Sequence, residues 1–176
     1  YQNYPNNIRN FYRQGTILSN GVNIAGGNAD QNVSLNVSNT AQKGIVQNSE
    51  LNRTNVLLGG NVKLMNKLKA GGSVSFIQTD QTGVSQGNNN SAFSNLSFAV
   101  PRSLNLQEIP YVDPVSGANV FFPGNENPYF SVNKNTTTSA VTRFINVANL
   151  IYAVTPWLIV SYHSALHTYR DARHTV

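Results

Sequence analysis

His163 and His167 stand four residues apart in a run that alternates apolar and polar side chains. If that run is a strand, a rise of ~3.3 Å per residue separates them by about 13 Å, too far for one ion, and a metal site needs a third converging ligand. The seven carboxylates, Asp30, Glu50, Asp80, Glu108, Asp113, Glu126 and Asp171, are scattered along the chain. A glycosidase pair needs two carboxylates facing one another across a cleft. Glu108 and Asp113 come nearest in sequence, but "DPVSG" at 113–117 is turn chemistry. There is no cysteine, so no thiolate or disulfide is available. Gly26-Gly27 ends a strand pattern with no helix after it, and Gly59-Gly60 lies inside one, so neither cradles a phosphate. In the strand interior, Gly59-Gly60 points to a bend or a close backbone approach. The residues therefore carry no catalytic set, no metal site and no cofactor site, and the chain reads as a non-enzyme. What remains is recognition. Tyr111, Phe121, Phe122, Tyr129 and Phe130, with Asn127 in "NENPYF", fall in one long polar connection. Aromatic faces and amide-rich side chains suit sugars, whose hydroxyls they match without charge, so these six are the candidate substrate contacts. The competing reading is that the aromatics fold the connection against its neighbours.

The elements holding these residues must be uncharged and polar. Charged residues are 11% of the chain, against 27 Asn, 13 Gly and 10% aromatics. Disorder normally combines high net charge with few aromatics, and neither holds here. The net charge of +5 comes from Lys and Arg with no cluster denser than "KLMNKLK" at 63–69, so no nucleic-acid partner is expected. The longest apolar run, "VANLIYAV" at 147–154, is far short of the ~20 residues of a spanning helix. No signal peptide opens the chain, and both ends read as interior sequence, so a piece of a longer protein is expected.

Period-two alternation dominates. Val22 and Ile24 share a face, as do Val33, Leu35 and Val37. Val56, Leu58, Gly60, Val62 and Leu64 line one face of a long strand over 53–64, with Leu57 the exception on the other. After a turn near 65–67, Leu68, Ala70, Gly72, Val74 and Phe76 resume the pattern, which predicts an antiparallel hairpin. A second hairpin joins 140–154 to the run from Leu158, broken at Thr155-Pro156. Between them, 78–139 holds "QGNNNS", "PRS", "DPVSG" and "PGNENP", all turn signals, with one short helix predicted in "SAFSNLSFAV". Long polar connections are expected at 38–52 and 78–139, opposite the short turns.

Two architectures fit an all-β antiparallel meander of this kind. In a secreted β-sandwich, a carbohydrate-binding or adhesin module, the apolar face is core and the polar face meets water. In a transmembrane barrel, the apolar face meets lipid and the polar face meets a lumen. The second is favoured by strand length, since a tilted spanning strand needs ~9–11 residues and soluble strands run ~5–6. It is favoured by polar faces of Ser, Asn and Gly, and by Tyr152, Trp157 and Tyr162 gathered at the second tight turn like an interfacial girdle.

The order of motifs resembles the SusC/RagA-like family of TonB-dependent outer-membrane transporters. "NFYRQGTILSNGVNIAGGNADQNVSLNVS" resembles the junction between plug and barrel, "GIVQNSELNRTNVLLGGNVKLMNKLKAGGSVSF" the strands that follow, and "PRSLNLQEIPYVDPVSGANVFF" with "NPYF" a long loop. The likeness runs over essentially the whole chain. It implies a partial segment, about six strands, of a 22-stranded transmembrane β-barrel closed by a plug. Residues 1–15 would be the plug-to-barrel linker and 16–176 the N-terminal part of the barrel, with 78–139 an extracellular loop. The resemblance further implies the cell outer membrane as location and import of oligosaccharides or peptides. It implies a SusD-like surface lipoprotein as lid, TonB engaged through a segment absent from this chain, and membrane lipid around the strands. Six strands cannot close so wide a cylinder, and open edges are not tolerated in lipid, so the segment is expected to need the rest of its protein.

Overall fold

A computed structural model describes residues 2–84 and 91–175; the "QGNNNS" turn signal, apart from Ser91, lies outside the described residues. Six strands follow one another in a single antiparallel sheet whose spatial order is the chain order. They are β1 (Thr16–Gly27), β2 (Gln31–Lys43), β3 (Glu50–Met65), β4 (Leu68–Val84), β5 (Thr136–Thr155) and β6 (Leu158–Thr175). Three short helices accompany them: α1 (Asn7–Phe11), α2 (Ala92–Phe98) and α3 (Pro128–Lys134). The all-β meander of six strands expected from alternation is what the chain forms.

The strands are 12, 13, 16, 17, 20 and 18 residues long. Both faces are continuous across the register. One cross-strand row runs Val22, Val37, Val56, Phe76, Phe144, Thr168; the next runs Ile24, Leu35, Leu58, Val74, Asn146, Leu166. Further rows add Val33 with Gly60, Gly72 and Ala148, then Val62 with Ala70, Leu150 and Tyr162. Together these make an apolar band on one face. The opposite face presents Asn23, Asn36, Leu57, Ser75, Ile145 and His167 in one row, and Asn32, Asn61, Gly71, Asn149 and His163 in another. Leu57 sits on that polar face, as the pattern required, and both candidate histidines share it.

Three turns, at 28–30, 66–67 and 156–157, lie at one end of the sheet, because alternate connections of a meander fall on the same side. Asn28 builds the first by accepting from the backbone N–H of Asp30 and Gln31. At the other end the structure corrects the expected connections. The polar stretch 38–52 is not a long loop: β2 continues to Lys43 and β3 starts at Glu50, leaving only 44–49. Likewise β4 reaches Val84 and β5 starts at Thr136, so the second connection spans 85–135. The cause is the backbone ladder, which is indifferent to side-chain polarity. Where alternation fades, polar side chains bridge the strands instead. Asn39 Nδ2 donates to Asn52 Oδ1 at 2.8 Å and to Thr54 Oγ1 at 3.0 Å, and Thr142 Oγ1 donates to Gln78 Oε1 at 2.6 Å.

Gly60 of the Gly59-Gly60 pair is a close backbone approach, and the partner is the neighbouring strand. A Cβ on Gly60 would stand 2.6 Å from the Asn32 carbonyl oxygen, and one on Gly72 2.5 Å from that of Val147. Among the described residues no other layer covers the sheet. Ile24 is 64% exposed, Leu58 48% and Leu166 59%. Among the described residues the buried hydrophobic ones instead form a small cluster of Phe11, Ala92, Leu96, Leu106 and Val132, against which Val84 at the end of β4 packs.

Candidate functional site

The long connection folds at the end of the sheet opposite the tight turns, and its partner is the N-terminal segment. Phe11 of α1 is fully buried and meets the Tyr129 ring at 5.2 Å between centroids. Asn7 ties the two segments by donating to the Leu104 carbonyl at 2.7 Å and accepting from the Leu106 N–H at 3.3 Å. Arg13 reaches the 44–49 turn, donating to the Gly44 carbonyl at 2.9 Å, and Asn48 in that turn donates to the Val132 carbonyl at 2.8 Å. Residues 1–15, expected as a linker, thus contain a helix that the loop cluster closes over.

Two helices shape the excursion. The helix expected in "SAFSNLSFAV" is α2, started by Ser91, whose hydroxyl accepts from the Ser94 N–H. The second, α3, opens on "NP": Asn127 accepts from the Tyr129 N–H at 2.9 Å, and Pro128 occupies the first turn, where a missing N–H costs nothing. The period of "NENPYF" gives no helical signal; the Asn-Pro pair is the signal that could have found it. Glu126 holds the same helix from below, accepting from the Ser131 hydroxyl and from Asn135 Nδ2.

This geometry separates the six candidate contacts. Asn127 is 0% exposed, and besides its cap it donates to the Val120 carbonyl, so its amide is engaged in holding the loop. Phe121 and Tyr129 pack against the buried cluster. Tyr111 and Phe130 are half-buried. Phe122 meets Phe121 at 4.8 Å between ring centroids with the planes tilted by 56°, and stays 41% exposed, so of the six it presents the most aromatic surface to a ligand. The connection's larger apolar exposure lies where residue type alone drew no attention. Phe93 is 65% exposed, Phe98 88% and Val115 95%. The "DPVSG" turn forms as its composition requires. Asp113 Oδ1 accepts from the N–H groups of Ser116 at 2.7 Å and Val115 at 2.9 Å, which holds its carboxyl below the usual aspartate range.

On the polar face of the sheet, at the same end, lies a concavity of about 480 Å³. Ile77 and Val141 line it with apolar surface, Asn55 and Gln81 contribute amides, and Arg53 and Arg143 contribute guanidinium groups. Arg53 Nε donates to Thr79 Oγ1 at 3.2 Å, and Arg143 lies over the Tyr169 ring at 5.2 Å. Asp171 is nearby but engaged, accepting from Arg173 Nε at 2.7 Å and the Ser139 hydroxyl at 2.9 Å. Sequence reasoning passed over both arginines, because they are 90 positions apart and only the register brings them together. Among the described residues no group of three His, Asp or Glu side chains gathers to hold a metal ion. No helix of the described residues is long and apolar enough to cross a membrane, which leaves crossing by strands open.

No protein-family model matches the chain, and no curated protein matches it.

Proposed function

We propose that this chain is part of the barrel wall of a TonB-dependent outer-membrane importer of the SusC/RagA-like kind, taking up oligosaccharides or peptides. One observation carries the reading. Six long strands present a continuous apolar band with no protein layer against it, Ile24, Leu58 and Leu166 standing about half or more exposed. Water does not support such a surface, and soluble proteins keep contiguous apolar patches to a few hundred Å². Lipid covers it at no cost.

Three further features support the same placement. All the tight turns fall at one end and the two longer connections at the other, the habit of outer-membrane barrels. Tyr152 and Tyr162 lie on the apolar face toward the tight-turn end, 45% and 66% exposed, with Trp157 in the turn itself at 82%. That is the position of an interfacial aromatic girdle. The β-sandwich reading would need a second sheet over the band, and the described strands all belong to one.

In this mechanism the chain does no covalent chemistry. The excursion and the polar face meet the solute, and a plug contributed by other parts of the protein opens the path when TonB is engaged. The surface carried by Phe93, Phe98 and Val115 suits the lid lipoprotein that the sequence resemblance implies.

The test uses the full-length parent protein, extracted from outer membranes in detergent. Gel mobility is compared before and after boiling. A closed barrel migrates differently until it is heated. A protein that fractionates with the soluble material and shows no heat-dependent shift refutes the transporter reading.

A further inference from the structure

We propose that the solute carries negative charge: an oligosaccharide bearing carboxylate or sulfate groups, held at its charged groups by Arg53 and Arg143. The proposal rests on the importer reading, in which the polar face lines the lumen, and narrows its substrate class.

Charge is unequally divided between the two faces. Strand positions on the polar face carry Arg53, Lys63, Lys69, Arg143 and Arg173 against the single carboxylate of Asp171. The apolar face carries Lys43 and Arg170 against Glu50 and Asp80, which balance. On the polar face Asp171 is held by Arg173, and Lys63 is paired with Asp30 of the first turn at 3.6 Å. Among the described residues, Arg53, Arg143 and Lys69 have no carboxylate partner, and Lys69 stands by the 66–67 turn, outside the concavity. Both line one concavity, on strands separated by β4 and offset by two residues, since Arg53 pairs with Thr79 and Arg143 with Ile77. Strand spacing and rise put their Cα atoms about 12 Å apart, within reach of charged groups on adjacent sugar units.

The position suits capture. These rows lie next to the polar collar of Asn39, Thr54, Gln78 and Thr142 on the other face, beyond the apolar band and toward the long connection. A solute arriving past the excursion meets them first. The guanidinium fork matches a carboxylate or sulfate in a bidentate way, and a concave wall of one sign raises the local concentration of anions. The amides of Asn55 and Gln81 line the same concavity and can hydrogen-bond the neutral hydroxyls of such a sugar.

The experiment is titration calorimetry at low ionic strength on the detergent-extracted full-length protein. The probes are a tetrameric polyuronate and its methyl ester, a sulfated tetrasaccharide and its desulfated form, and a tetraglutamate peptide. Each is tested on the wild type and on the Arg53→Gln/Arg143→Gln variant, with the heat-dependent mobility shift checked in every sample. The expected result is that at least one charged sugar binds about tenfold or more tightly than its neutral form, and that the double variant abolishes the difference. Preference for the neutral forms, binding of the peptide alone, binding of none of the charged sugars, or a charge preference unchanged in the variant overturns the proposal. A persistent mobility shift in those cases leaves the importer reading standing; loss of the shift in the wild type removes that reading itself.

Discussion

Leu57 and Leu58 form a matched pair built into β3. They are adjacent, chemically identical and similarly exposed, 38% and 48%, yet they point to opposite faces of the sheet. Leu58 belongs to the row of Ile24, Leu35, Val74, Asn146 and Leu166, and along β3 it stands one row from Gly60, the middle of the apolar run Val56 to Leu64. One row is two residues, ~6.8 Å along the strand, or about 5 Å in depth at a tilt near 45°. That places Leu58 well inside a hydrocarbon layer ~25 Å tall. Leu58→Lys should then cost about 2 kcal/mol or more, toward the range of ~2–4 kcal/mol for a lysine at mid-bilayer. Leu57→Lys, beside Asn55 and Ser75 on the polar face, should stay within about 0.5 kcal/mol, the usual size of an exposed substitution. The assay is urea unfolding of the full-length protein in phospholipid vesicles, read by the heat-dependent gel shift. Equal costs at the two positions, or a larger cost at Leu57, would refute the assignment of the apolar face to lipid.

Two other predictions concern the loop cluster. Asn127→Ala removes the cap of α3 together with a buried donor to the Val120 carbonyl. It should destabilise the cluster by about 1–2 kcal/mol and raise hydrogen exchange across 128–135, while exchange in β1–β3 stays unchanged. The Asp113 turn should depend on acid. Because the folded carboxyl titrates below its unfolded value, its stabilisation is present above the ordinary aspartate range and is lost as pH falls through the folded pKa. Amide protection at Val115 and Ser116 should therefore drop below about pH 4, and less so in Asp113→Asn, whose side-chain oxygen accepts without titrating.

How much of this was legible in the sequence differs by element. The β3–β4 hairpin was read nearly whole, because Val56 to Leu64 and Leu68 to Phe76 alternate over a short turn, and alternation directly encodes which face is which. The outer ends of β2 to β5 were not. Asn39, Asn52, Gln78 and Ser139 carry no apolar periodicity, and their pairing is decided by the neighbouring ladder extending past the band. The α2 helix was found from its composition, while α3 was hidden because a seven-residue helix shows too little period and its cap, Asn127, read as a ligand contact.

By itself, then, the sequence determined the inner parts of the strands, their tight turns and the two faces, since these follow from residue type and from spacing of a few positions. Only the tertiary structure decided that Phe11 closes the core of a loop more than eighty residues away, that Asn127 is buried while Phe93 and Phe98 are not, and that Arg53 and Arg143 line one hollow. Those relations depend on strand register and on chain segments meeting end to end, which no local pattern records.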